Sequence, residues 1–99
     1  MRVIFTAHAR TELTEAKRYY NQQQTGLGDR FQQDAEVCAG RILEYPHAWQ
    51  IERGSIRRLA FSSFPYKMLY AIEDERIVVV AVAHQHRAPD YWIDRIGAQ

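Results

Sequence analysis

The apolar residues of this chain change their spacing once, near Pro46, and that change fixes the class of fold open to it. Before Pro46 they recur at helical intervals. Ala9, Leu13, Ala16 and Tyr20 lie 4, 3 and 4 residues apart, and Phe31, Ala35, Cys38, Ile42 and Tyr45 lie 4, 3, 4 and 3 apart. After Pro46 the period becomes two. Tyr66, Met68, Tyr70 and Ile72 alternate with Lys67, Leu69 and Ala71, and Arg58 and Ala60 alternate with Arg57, Leu59 and Phe61. Ile77 to Ala83 is apolar throughout, as a central strand covered on both faces should be.

Local signals set the boundaries. Arg2 to Phe5 is a short β-prone stretch. Thr6 can cap a first helix from Ala7 to Gln24, which ends near Gly26 and Gly28. Asp29 and Gln32 have the spacing of a capping box for the second helix, which Pro46 stops. Strands follow at Gln50–Arg53, Ile56–Ser62, Tyr66–Ile72 and Ile77–His84, with turns at Ser63-Phe64-Pro65 and Glu73-Asp74-Glu75. Pro89 then opens a short C-terminal helix over Asp90–Ile96. This order predicts an α+β fold of two layers in one domain, residues 1–99. An N-terminal strand precedes an antiparallel helix hairpin, which packs on a mainly antiparallel sheet of four or five strands. Part of the far face should stay open for a partner.

Several classes are excluded. The longest apolar run has seven residues, short of the ~20 that span a bilayer, and no secretory leader opens the chain, so a cytoplasmic protein without a membrane partner is expected. The single cysteine, Cys38, lies on the apolar stripe and reads as a small buried hydrophobe. Neither a phosphate-binding Gly-x-x-x-x-Gly-Lys nor a Gly-x-Gly-x-x-Gly is present, and no cofactor is expected. His84 and His86 could chelate a metal with His8, His47 or Asp90, but such a pair more often caps and hydrogen-bonds, so no metal site is expected. Trp49 and Trp92 read as packing at the edge of the core.

Charge is distributed unevenly. The formal net charge is +1, yet Arg53 to Ile72 holds four basic residues, Arg53, Arg57, Arg58 and Lys67, and no acid. Arg58, Lys67, His84, His86, Arg87 and Tyr91 come from strands that antiparallel order can bring together. Guanidinium groups fork onto oxyanions, Lys adds a point charge, and His transfers protons near neutral pH. Such a set suits phosphoryl chemistry or an acidic partner peptide.

Five segments, ARTELTEAKRYY from Ala9, GDRF from Gly28, ILEYP from Ile42, FPYKMLY from Phe64 and RIVVVAVAHQHRAPDYW from Arg76, together resemble the RelE/ParE superfamily of toxins from bacterial type II toxin–antitoxin modules. The ending with His84, Arg87 and Pro89 looks closer to the ParE, or plasmid-stabilisation, branch. The resemblance implies a bacterial cytoplasmic toxin, neutralised by a cognate antitoxin with which it can form a hetero-oligomer. ParE-type members poison DNA gyrase by binding; RelE-type members cut messenger RNA on the ribosome. Against the RelE pattern, Arg58, Lys67 and Arg87 match, Tyr91 matches with a shift of register, and Ala60 stands where a second basic residue is usual. The nearest acidic residue is Glu52. The resemblance therefore implies gyrase binding, with a ribosome-dependent nuclease as the alternative. In a nuclease, Arg58 and Arg87 would hold the phosphate, Lys67 would offset charge, and His84 or His86 with Tyr91 would move protons. Tyr19, beside the core stripe, is the candidate antitoxin contact.

Overall fold

The computed structural model describes residues 1–96. Its elements are β1 (Arg2–Phe5), α1 (Ala7–Gln23), α2 (Leu27–Glu44), β2 (Ile51–Arg53), β3 (Ile56–Ala60), β4 (Tyr66–Glu73), β5 (Arg76–His84) and a 3₁₀ turn (Ile93–Ile96). One sheet runs in the order β1-β5-β4-β3-β2. β1 lies parallel to β5, and the other pairs are antiparallel. The α+β architecture is the one the change of period predicts.

Thr6 caps α1 by accepting the Ala9 amide at 3.1 Å. The helices form an antiparallel hairpin: Lys17 reaches Gln32, and four residues further along α1 Asn21 reaches Gly28, four residues earlier on α2. The expected capping box at Asp29 does not form. α2 starts earlier, with Gly26 as its N-cap at φ 87°, and no side chain of the cap bonds to it. Asn21 Oδ1 instead accepts the Gly28 amide at 2.7 Å. A tertiary contact thus takes the place of the local one, and Asp29 is left in the first turn, where its charge suits the helix dipole.

Gly28 marks the closest approach of the helices. A Cβ there would stand 2.1 Å from the Lys17 carbonyl oxygen and 2.6 Å from Asn21 Cγ. Backbone cannot yield as a flexible side chain can, so Gly28→Ala should force the hairpin apart. The expected loss is at least the ~1–3 kcal/mol typical of overpacking. Thermal unfolding checks it, and an unchanged midpoint would show that the helices do not cross at Gly28.

The sheet has a core on each face. Met68, Tyr70, Ile77, Val79, Val82 and Phe61 pack under Ala9 and Ala16 of α1 and Phe31, Ala35, Cys38 and Ile42 of α2. Ile56, Leu69, Ala71, Val80 and Ala81 lie on the far face with Trp92. The register of β4 and β5 shifts between Leu69↔Ala81 and Tyr70↔Val79, leaving Val80 without an opposite residue. This bulge explains why consecutive Val80 and Ala81 share one face. Cys38 is buried as expected and its Sγ donates to the Leu59 carbonyl; burial, then the Asp34 charge, pushes the thiol up to about 12. It is not a nucleophile at neutral pH.

The C-terminal segment departs from expectation. No helix spans Asp90–Ile96. Asp90 takes a left-handed φ of 65°, and only the 3₁₀ turn Ile93–Ile96 follows. Trp92 is not at the edge of the core but 1% exposed within it. With Tyr91, Ile93 and Ile96 it covers the apolar half of the far face. What remains open there is a polar strip around Glu52, Arg58 and Lys67.

Candidate functional site

The four residues of β1 pair with Arg76–Val79 of the nine-residue β5. From Val80 to His84 that side of β5 has no neighbouring strand among the described residues. An open edge of this kind is a template for pairing unless something blunts it. Here a side chain from α1 does so. Glu12 Oε1 accepts the Val82 amide at 2.9 Å and Arg95 Nη1 at 2.8 Å. Its Oε2 accepts Arg95 Nη2 at 2.9 Å and the Tyr91 hydroxyl at 2.7 Å. Arg95 Nη1 also donates to the Val80 carbonyl at 3.2 Å. One carboxylate thereby ties α1, the open edge of β5 and the C-terminal segment together. Burial pushes the Glu12 carboxyl up, but the hydrogen bonds from Arg95, Tyr91 and Val82 and the Arg95 charge outweigh it and hold it below the usual glutamate value. Tyr91 is moved the other way: burial, then its bond to Glu12 and the charge there, raise its hydroxyl above the ordinary tyrosine value.

The β5 strand ends in a turn closed by the Arg87 amide donating to the His84 carbonyl at 3.0 Å. The turn delivers Arg87 over the Tyr91 ring, 3.8 Å from its centroid. No side-chain hydrogen bond or ion pair engages this guanidinium among the described residues. His84 meets Tyr66 edge-on at 5.1 Å, and its Nδ1 accepts the His86 amide at 3.0 Å. Tyr19, Tyr20, Tyr66, Val82, His84 and Arg87 line a groove of about 490 Å³ between α1 and the sheet. Tyr19 stands in its wall and is 54% exposed.

The other candidates sit on the far face. Arg58 Nη1 lies 3.1 Å and Lys67 Nζ 3.3 Å from Glu52 Oε1, and Arg58 Nη2 donates to Gln50 at 2.7 Å. Burial raises the Glu52 carboxyl, but bonds and charge from Arg58 and Lys67 more than offset it and hold it low. Arg53 pairs with Asp90, and Arg57 donates to the Trp49 carbonyl. The basic stretch seen in sequence is therefore a set of partnered cations.

Lys67, His84, Arg87 and Tyr91 meet around a small cavity of about 110 Å³, with Glu52 and Trp92 in its wall. Arg58 touches this group through Glu52, and the His86 ring lies tilted beside that of His84 in the turn, with ring centroids 5.2 Å apart. No group of three metal-ligating side chains occurs among the described residues. Sequence reasoning missed Glu12 and Arg95. Glu12 looked like one more charge on the polar face of α1, and its partners lie 79 and 83 residues away.

The Tyr91 hydroxyl donates to a carboxylate, and Glu52 is held between two cations, so neither is disposed to take a proton. Of the Arg and Lys side chains gathered here, Arg87 is the one with unused donors, and it stands in the wall of an aromatic groove. A guanidinium so placed can fork onto an oxyanion.

A family model for the ParE toxin of the type II toxin–antitoxin system parDE matches residues 3–89. Comparison with curated protein sequences finds no match. Among solved structures, the fold is similar to a chain from the chromosomal ParDE TA system of P. aeruginosa, with a TM-score of 0.75 and 14% identity over 85% of this chain and 95% of that one. At that identity the likeness speaks for the fold. Tyr91, Trp92 and Arg95 lie beyond the stretch that the family model matches.

Proposed function

The chain belongs to the ParE toxin family of type II toxin–antitoxin systems, and from that premise we propose that it arrests growth in the bacterial cytoplasm by binding DNA gyrase, without chemistry of its own. A cognate antitoxin neutralises it by occupying the groove beside α1, with Tyr19 among its contacts, in a hetero-oligomer. The supporting observation is the contrast between cations. Arg53, Arg57, Arg58 and Lys67 are all engaged, while Arg87 is held in the open beside tyrosines. No helix among the described residues is long and apolar enough to cross a membrane.

The test uses purified protein and gyrase. Supercoiling should be inhibited and cleaved complexes stabilised at micromolar protein. Arg87→Ala should raise the concentration required by about tenfold, as loss of an interface arginine does. Absence of inhibition by the unaltered protein would overturn the target.

One observation favours a second reading. Lys67, His84, Arg87 and Tyr91 surround a single cavity, and a RelE-like nuclease acting on ribosome-bound messenger RNA would need such a gathering. Primer extension on transcripts after induction separates the two. In-frame cleavage that Arg87→Ala removes would establish the nuclease; intact transcripts beside gyrase inhibition would establish the binder.

A further inference from the structure

Glu12 is connected to the groove by a short physical chain. Its Oε2 anchors the Tyr91 hydroxyl at 2.7 Å, and the Tyr91 ring carries the Arg87 guanidinium at 3.8 Å from its centroid. Arg95, whose two terminal nitrogens both bond to Glu12, also lies over that ring, 4.9 Å from its centroid. An untethered phenol would swing with the C-terminal segment and take Arg87 with it. A long arginine side chain loses much rotamer freedom when it binds, and holding it in place beforehand removes part of that cost.

We propose that Glu12 is a positioning residue: through Tyr91 it holds the Arg87 guanidinium open at the groove, ready to take one carboxylate of a partner protein in a bidentate pair. The proposal rests on the binding reading above. A protein carboxylate is favoured over a nucleic-acid backbone because a phosphate chain needs several unengaged cations in a row. Arg58 and Lys67 share Glu52, Arg95 is spent on Glu12, and Arg87 is the one Arg or Lys that lines the groove, so the groove offers a single fork.

The Nε–Hε resonance of Arg87 in a ¹⁵N-labelled sample reports the arrangement directly. Stacking on Tyr91 should shift it upfield by ring current. Glu12→Ala and Tyr91→Leu should return it to the position of an exposed arginine. Tyr91→Phe, which keeps the ring and removes the tether, should move it most of the way. If Glu12→Ala does not fold, Glu12→Gln and Tyr91→Phe carry the same comparison.

Growth arrest supplies a second readout that does not depend on the target. Glu12→Ala and Arg87→Ala should each raise the expression level needed for arrest, and the double variant should be no worse than Arg87→Ala alone, because one acts through the other. An unchanged Arg87 resonance in Glu12→Ala, or additive effects in the double variant, would overturn the positioning role. Full arrest by Arg87→Ala would instead strike the binding reading, and the resonance would still decide the positioning. Titration separates the partner classes: a glutamate-rich peptide should move the Arg87 resonance, and a response only to a single-stranded RNA oligonucleotide would refute the assignment to a carboxylate.

Discussion

Replacing Trp92 with alanine should lower the unfolding free energy by about 3–5 kcal/mol, the range for removing a fully buried aromatic. Trp92 is the largest of the fully buried side chains, 1% exposed, and it comes from a segment with little regular structure of its own. Below it lie Leu69 and Ala81, fully buried, with Val80 and Ala71 nearly so. Removing the indole leaves a cavity over these residues or lets the segment lift and water reach them. An indole that buries ~150–250 Å² at ~25 cal/mol per Å² accounts for a loss of this size. Small domains have only ~5–15 kcal/mol in total, so the variant should sit near the edge of folding. Urea unfolding and binding of a dye specific for exposed apolar surface measure it. Trp92→Phe should recover part of the loss. An alanine variant that unfolds like the unaltered protein would show that residues 91–96 do not cover the sheet.

The far face also shows where a linear reading of the chain stops. The change of period at Pro46 was sufficient for the helix hairpin, because Phe31, Ala35, Cys38 and Ile42 form its buried stripe. Alternation in β4 was sufficient to send Met68 and Tyr70 to the helices and Leu69 and Ala71 to the far side. In β5 alternation gives no guide, for a physical reason. A strand apolar on both faces has no alternation to disturb, so a bulge at Val80 leaves no trace in the pattern. Asp29 and Gln32 have the spacing of a capping box, but the helix starts at Leu27 and that local preference loses to Asn21, which the sequence places on another helix. Trp92 carried no periodic signal, since its burial comes from a chain that folds back across β4 and β5.

The site divides in the same way. Arg87, His84, Lys67 and Tyr91 were visible as chemistry, and antiparallel order brings them to one cavity. Their engagement was not visible. Glu52 stands one residue before the basic stretch, yet the strand pairings are what place it between Arg58 and Lys67. Glu12 was further out of reach, because a polar residue on a polar helix face is the commonest of surface positions. The one hint was disproportion: a four-residue first strand cannot cover a nine-residue central one, and the remaining edge needs some partner.

That partner makes the second large effect a function of pH. Glu12→Gln is nearly isosteric with the protonated acid, so it mimics the unaltered protein in acid and differs from it at neutrality. Glu12 and Arg95 are both largely buried, and removing the carboxylate charge strands Arg95 along with two further donors, the Val82 amide and the Tyr91 hydroxyl. The expected loss at pH 7 is about 2–4 kcal/mol, toward the lower end of that for broken buried pairs because the site keeps some solvent contact. The sign follows from the carboxyl's folded value lying below its unfolded one. Stability from the ionised form is complete above the unfolded value, ~4.3, and is lost as pH falls from there through the folded value. The gap in melting temperature between the two proteins should therefore be widest at neutral pH, close through that window, and vanish below it. Glu52 is held low by Arg58 and Lys67, so both proteins should still destabilise in acid through that second carboxylate. A gap that stays constant down to the acid limit would mean that Glu12 contributes by shape alone. A gap that closes locates its contribution in charge, which can hold Tyr91, Arg95 and the uncovered end of β5 only while the carboxylate is ionised.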